Sequence, residues 1–390
     1  MVDFVSRVRE EQQMKDFSID DNLYLGGKKY HIQTNSSGES RKIVSILFTD
    51  GQVLDSSIFV YGPDLSEAAL TRLVRSVHNK KLAEMKSLFK IAETLAKEKH
   101  VEALNRLGNV FLGKRMYEEA IRQFRKALEI DSNHAEAQNS LGLALDLAGR
   151  DGEALDFYQK AIENQPNYGD FHNNLGVLLC KMGRYREGIE ELEKAVRLGG
   201  KYGEAYFNLG LAHLKIVQDP VSAADFPPAS VLIHRSLENF ERAIDLTPHF
   251  KDKYFQSGLA HLKNNMIGKA IEDFSRSLLE VNKVKAKQRE ICYEFYLRFL
   301  YQDKGMNEQE VKEYILKLQN LLSKRPGYAD LHNYIAGAFL VWARTLFQKA
   351  SDHLNQALSI NPKFKKAHNN LKLVENESKG LARLLWAIFK

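Results

Sequence analysis

Val101–His134 reads VEALNRLGNVFLGKRMYEEAIRQFRKALEIDSNH, and the same pattern starts again at Ala135 and at Gly169. Leu-Gly pairs mark the register, and their glycines, Gly108, Gly142, Gly176 and Gly210, stand 34 residues apart. An internal period of this length is the signature of a solenoid, in which each unit buries its apolar face only against its neighbours. Counting Val101 as position 1, small residues return at position 20 (Ala120, Ala154) and position 27 (Ala127, Ala161, Ala195). Small side chains let two helix axes approach, and Leu107, Ile121, Phe124 and Tyr158 supply the bulk that fills the remaining space. Each unit therefore reads as a pair of antiparallel helices. The breaks agree: Gly149 and Gly183 sit where a helix C-cap wants glycine, and Pro166, Pro248, Pro326 and Pro362 punctuate the ends of second helices.

The offsets L-G-x-x-Y, A-x-x-x-F, A and P resemble the tetratricopeptide repeat over roughly residues 101–364. That resemblance implies a mainly α fold, a right-handed α-solenoid of about seven repeats across 100–364. The pattern departs from the family in several places. Gly188 replaces alanine at position 20 of the third unit, and residues 216–232 (IVQDPVSAADFPPASVL) are inserted in the fourth. A fifth unit follows with Gly258, Ala270 and Phe274. The sixth, 285–328, is stretched and poorly matched, with Asn307 and Glu310 spaced as a capping box. The seventh recovers Ala336, Ala350, Ala357 and Pro362.

The ends have other periods. Beyond a tail at 1–18, residues 19–62 hold three short runs rich in β-branched and aromatic residues, YLGGKKYHIQT, RKIVSILF and VLDSSIFVY, with Asp50-Gly51 as a tight turn. They predict a three-stranded antiparallel meander. Residues 63–99 place Leu70, Leu73, Val74, Val77, Leu82, Met85, Leu88 and Phe89 on one helical stripe that would cover the sheet. This small α+β module is similar to one found ahead of tetratricopeptide arrays in bacterial proteins, a resemblance that brings no activity with it; Tyr30, His31 and Gln33 are its candidate ligand-binding cluster. Residues 365–390 read as a solvating capping helix ending in LARLLWAIFK. In that tip Leu384, Leu385, Trp386 and Phe389 either fold back on the array or dock on a partner or a membrane surface, where Trp beside basic residues is at home.

Composition excludes several function classes. The net charge of +6 over 390 residues is too small to indicate nucleic acid unless gathered on one face. Two distant cysteines, Cys180 and Cys292, make neither a disulfide framework nor a metal site. With no signal-peptide pattern at the N-terminus and no stretch of bilayer length, the expected location is cytoplasmic, or peripheral at a membrane through the tip. Gly108–Lys114 matches G-x-x-x-x-G-K, but Arg115 stands where a hydroxyl would ligate magnesium, and the stretch lies in a helix and its turn. His213 and His261 share position 11, and His172, His332 and His368 share position 4; these are packing positions, so no metal, cofactor or catalytic residue is expected.

A binding surface is a different matter. In tetratricopeptide arrays the first helices line the inner face and positions 2, 5, 6 and 9 point into it, as the resemblance implies. Position 5 carries Asn105, Asn139, Asn173, Phe207, Phe255 and Asn333; position 6 adds Asn174 and Asn208, and position 9 adds Asn109. A row of amides can hold an extended peptide through its backbone, or can bond within the array itself. Phe207 and Phe255 suggest a pocket for one anchor side chain. Acids at position 2 (Glu102, Glu136, Asp170, Glu204, Asp252, Asp330) would favour a basic segment. The function expected is thus a non-catalytic scaffold that binds extended segments of other proteins.

Overall fold

The computed structural model describes residues 16–63, 65–199, 202–301, 306–324 and 329–389, excluding the side chains of residues 220, 324, 329, 330, 386, 388 and 389. Its chain divides into two compact units, one holding the residues up to Thr94 together with Lys114–Met116, the other holding the remainder.

The first unit contains four strands, β1 (Ser18–Leu25), β2 (Lys28–Ser37), β3 (Lys42–Thr49) and β4 (Gln52–Val60), in one antiparallel sheet of order β1-β2-β3-β4. The meander therefore has one strand more than its three apolar runs predict. The extra strand reads SIDDNLYL, whose acids and amide are poor strand formers; pairing at a sheet edge, with Leu23 turned inward, makes it a strand all the same. Gly26 and Gly27 take φ of 56° and 79° in the β1–β2 turn, and Asp50 and Gly51 take 48° and 77° in the β3–β4 turn, the left-handed pairs that match sheet twist. Helix α1 (Glu67–Glu98) lays Leu70, Val74 and Val77 on Ile43 and Tyr61, as its stripe predicts. His78 is buried in that layer, with Nδ1 3.0 Å from the Thr34 hydroxyl and Nε2 3.1 Å from Asp21. The expected cluster of Tyr30, His31 and Gln33 is split by the pleat: Tyr30 is buried against Phe89, while His31 lies on the opposite face beside Asn22.

The second unit opens with regular hairpins: α2 (Val101–Gly113) with α3 (Tyr117–Ile130), α4 (Ala135–Leu147) with α5 (Asp151–Asn164), and α6 (Gly169–Lys181) with α7 (Tyr185–Gly199). Next come α8 (Gly203–Gln218), the short α9 (Pro220–Ala223) inside the insertion, and α10 (Ala229–Leu246), which pairs with α8. Helix α11 (Lys253–Lys263) pairs with the start of α12 (Ile267–Tyr301). Helices α13 (Glu308–Lys324), α14 (Ala329–Ile360) and α15 (Lys365–Phe389) complete the chain.

The recurring geometry of a hairpin is visible at its glycine. A Cβ on Gly108 would collide with the Phe124 ring, and one on Gly142, Gly210 or Gly258 would meet Tyr158, Phe240 or Phe274 in the same way. In the third hairpin the ring is replaced by Leu192, and a Cβ on Gly176 would instead meet the Gly188 carbonyl at 2.8 Å. The substitution of glycine for alanine at 188 thus lets backbone approach backbone where no ring fills the space. Turns close as their sequences predict: Gly149 N–H reaches Asp146 O at 3.0 Å and Arg150 N–H reaches Leu145 O at 2.9 Å, the double bond of a Schellman cap, and Gly183 and Arg184 repeat it. The Asn307 box forms too, with Glu310 N–H donating to Asn307 Oδ1 at 3.0 Å and Asn307 N–H to the Glu310 carboxylate at 2.8 Å.

Two expectations change. The seventh unit is one 32-residue helix, α14, in place of a hairpin, and the first helix of the sixth is fused to the second helix of the fifth in the 35-residue α12. Five helical hairpins keep the register of the repeat, from α2 with α3 to α11 with α12, and beyond them α14 pairs with α15, where seven repeats were expected.

Candidate interaction groove

The fused half of α12 runs along the inner face of the array. Helix α12 packs on both α2 and α8. Lys285 Nζ lies 2.6 Å from Glu204 of α8, and Arg289 reaches Asn109 Oδ1 of α2 at 3.4 Å. Beyond it, the Arg106 guanidinium sits 4.0 Å from the Tyr296 ring centroid and 5.8 Å from that of Tyr293. These are residues of positions 2, 6 and 9, the positions expected to face a ligand. No local propensity announces the run-on; its signals are missing breakers, since Asn282 occupies the position where the second unit has Pro166.

Where α12 passes over α4 and α6 it leaves a cavity of about 450 Å³. Its walls combine Glu136, Asn139 and Asp170 from the first helices with Tyr168 and with Arg289 and Tyr293 of α12. Burial pushes the Glu136 carboxyl above its ordinary range, with Glu102 adding to the effect and His134 and Arg289 opposing it. Asp170 is raised in the same direction by burial and by Glu204, against Arg289, Lys285 and a hydrogen bond from Tyr202. Both side chains still touch water. At the groove's first repeat Glu102 is lowered instead, chiefly by its hydrogen bond with His134.

The asparagine ladder is real and is largely engaged with itself. Asn174 Nδ2 donates to Asn139 Oδ1 at 3.0 Å and Asn208 Nδ2 to Asn173 Oδ1 at 2.8 Å, each bond joining consecutive units. Asn109 donates to the Asn105 carbonyl at 3.0 Å, and the buried Asn105 Oδ1 has no hydrogen-bond partner. Asn139 is half-buried at the cavity wall, and Asn333 is exposed on α14.

Phe207 and Phe255 do not form a pocket. They are buried among Phe240, Phe250 and Phe274, with the Phe207 centroid 4.5 Å from Phe250 and 4.9 Å from Phe240. In the fourth and fifth units position 5 turns its ring into the core, because the longer α10 and the turn at Pro248–Phe250 bring a matching apolar surface beside it. At the C-terminal tip Leu385 is buried and Leu384 exposed, while the side chains of Trp386 and Phe389 lie outside the described residues. No described helix is long and apolar enough to cross a membrane.

Stacked helical hairpins with a glycine under each aromatic ring define the class, an α-solenoid of helix-turn-helix repeats. Models of the tetratricopeptide repeat match residues 93–167 and 157–190, so this part of the chain is a tetratricopeptide repeat array. As such it has the build of a protein-interaction scaffold. No curated protein matches the chain. Among solved structures it is similar to MamA, at 24% identity over 44% of this chain and 91% of that one, with a TM-score of 0.31. It is also similar to PilF of Pseudomonas aeruginosa, at 21% identity over 62% of this chain and 98% of that one (TM-score 0.37). A third is YrrB, described as a tetratricopeptide repeat protein with an unusual peptide-binding site, at 20% identity over 51% of this chain and 97% of that one (TM-score 0.34).

Proposed function

We propose that this protein is a non-catalytic scaffold that binds an extended segment of another protein at the inner face of α4 and α6, taking a lysine or arginine side chain into the cavity beneath α12. The observation that carries this reading is the pairing of two carboxyls, Glu136 and Asp170, with the aromatic rings of Tyr168 and Tyr293 in one cavity. Carboxyls held above their ordinary range by burial gain from an arriving cation, and ring faces add attraction for an ammonium or guanidinium. Asn139 on the same wall offers an amide to the segment's backbone.

The test is to replace Asn139 with the photo-crosslinking residue p-benzoylphenylalanine in the full chain, irradiate it in its native cells and map the adducts by mass spectrometry. Adducts on extended, lysine- or arginine-bearing segments of other proteins are expected. Adducts confined to α12 of the same chain would remove the groove from the account.

A further inference from the structure

The groove that suits a basic segment already contains one. Residues 283–289 of α12 read KVKAKQR, and two of their cations face the acids of the repeats. Lys285 Nζ is 2.6 Å from Glu204 although 81 residues separate them in sequence. Arg289 lowers both Glu136 and Asp170 while bonding Asn109 at 3.4 Å. On either side the helix is anchored by apolar burial: Val281 belongs to the phenylalanine cluster of the fourth and fifth units, and Phe295 is buried 5.5 Å from the Tyr314 ring of α13. Between these anchors the cations of residues 283–289 reach water, whereas Glu290, Ile291 and Cys292 are buried. Lys285 is 33% exposed and Arg289 is exposed. An anchored backbone whose Lys285 head group pairs with Glu204 at the edge of solvent, the two side chains 33% and 15% exposed, is suited to exchange of one cation for another without release of the helix, because an arriving cation can take over the carboxylate as Lys285 moves into water.

We propose that Lys285 and Arg289 are internal competitors for the groove, occupying in cis the electrostatic positions that a partner's basic side chains take in trans. This rests on the cationic-segment reading above. Partner entry then swaps one cation for another at Glu204, Glu136 and Asp170, and weakly basic segments are rejected because they cannot outcompete the resident pair.

Two measurements with the full chain test the idea, using acetylated, amidated hexa-arginine as the probe. In the free protein a carbodiimide should join Lys285 to Glu204 as an isopeptide, and saturating probe should suppress that product while the Lys181–Asp146 product, from a 2.7 Å pair remote from the cavity, persists. Fluorescence anisotropy of the same peptide with fluorescein in place of the acetyl group should show Arg289→Gln binding the probe about tenfold more tightly than the parent and Arg289→Lys binding it like the parent. If the probe binds but the Lys285–Glu204 product survives, or Arg289→Gln leaves affinity unchanged, the exchange idea is overturned and the cation site stands. If no form binds the probe, both fall together.

Discussion

The helices from α2 to α8 and those from α12 to α15 come from one repeat pattern, yet the first set is 13 to 16 residues long and the second includes helices of 35 and 32. The difference is turn chemistry. At positions 14 to 16 the second unit has Ala148-Gly149-Arg150, with Gly149 at φ 78°, whereas the last unit has Trp342-Ala343-Arg344. Alanine resists the left-handed conformation that ends a helix and is the best helix former, so the chain runs on. The same holds at Asn282 for want of a proline. Regular units make a ladder that meets itself; the run-on at α12 is what places a foreign surface against that ladder.

The comparison is broken most severely by proline. Thr345 occupies position 17, which in the second unit is Asp151, the first residue of α5. Proline is welcome at a first helical position but costs about 3 kcal/mol or more inside a helix. Thr345→Pro should therefore destabilise the protein by about that amount in urea denaturation, while Asp151→Pro should cost about 1 kcal/mol at most. Equal small effects would mean that α14 is a hairpin after all.

Position 11 tests the same boundary through pH. His261, at the start of the irregular region, has Nδ1 3.0 Å from Asp273, whereas His213 in α8 is buried and its Nδ1 has no partner. Burial, with Arg235 nearby, pushes the His213 pKa from 6.5 down to about 4. The unfolded chain then binds a proton that the folded chain refuses, so stability is intact above pH 6.5, falls as pH drops toward 4, and is lower by about 3 kcal/mol below that. His213→Phe should flatten the pH dependence between 6.5 and 4 relative to the parent. An unaltered slope in the difference would show that His213 is not held neutral. His172 acts in the opposite sense, because its hydrogen bond with Glu191, 2.6 Å away, raises its pKa; its contribution is present below the unfolded value and is lost as pH rises through the folded one.

Much of this was legible before any coordinates. The 34-residue glycine register, the two-helix unit, the Schellman turns at Gly149 and Gly183 and the Asn307 capping box all follow from local chemistry, and all are present. The edge strand β1 escaped notice because its acids mask a role that comes from pairing. Phe207 and Phe255 differ from expectation for a related reason: position 5 names a direction on a helix, but what lies in that direction depends on the neighbouring unit, and there α10 and the turn at Pro248–Phe250 place apolar surface in it. The amides of the ladder were legible as residues but not as bonds, since Asn208 meeting Asn173 requires two consecutive units to be stacked. Lys285 and Arg289 could have been found from the basic run alone, had the missing proline at 282 been read as a continuing helix.

The subtlest test concerns Gly176. In four hairpins the glycine sits under an aromatic ring, which can tilt to admit a methyl group; in the third it sits under the Gly188 carbonyl, 2.8 Å from where a Cβ would stand, with Leu192 Cγ also at 2.8 Å. Backbone cannot tilt without moving α7 as a whole. Gly176→Ala should thus cost about 2 kcal/mol, the middle of the usual range for overpacking, and more than Gly142→Ala, where the Tyr158 ring at 2.7 Å has freedom to adjust. Urea denaturation of the two variants side by side gives the ordering directly. If Gly142→Ala proves the more damaging, the rings are the rigid element of these hairpins, and Leu192 with Gly188 is the looser solution to the same packing problem.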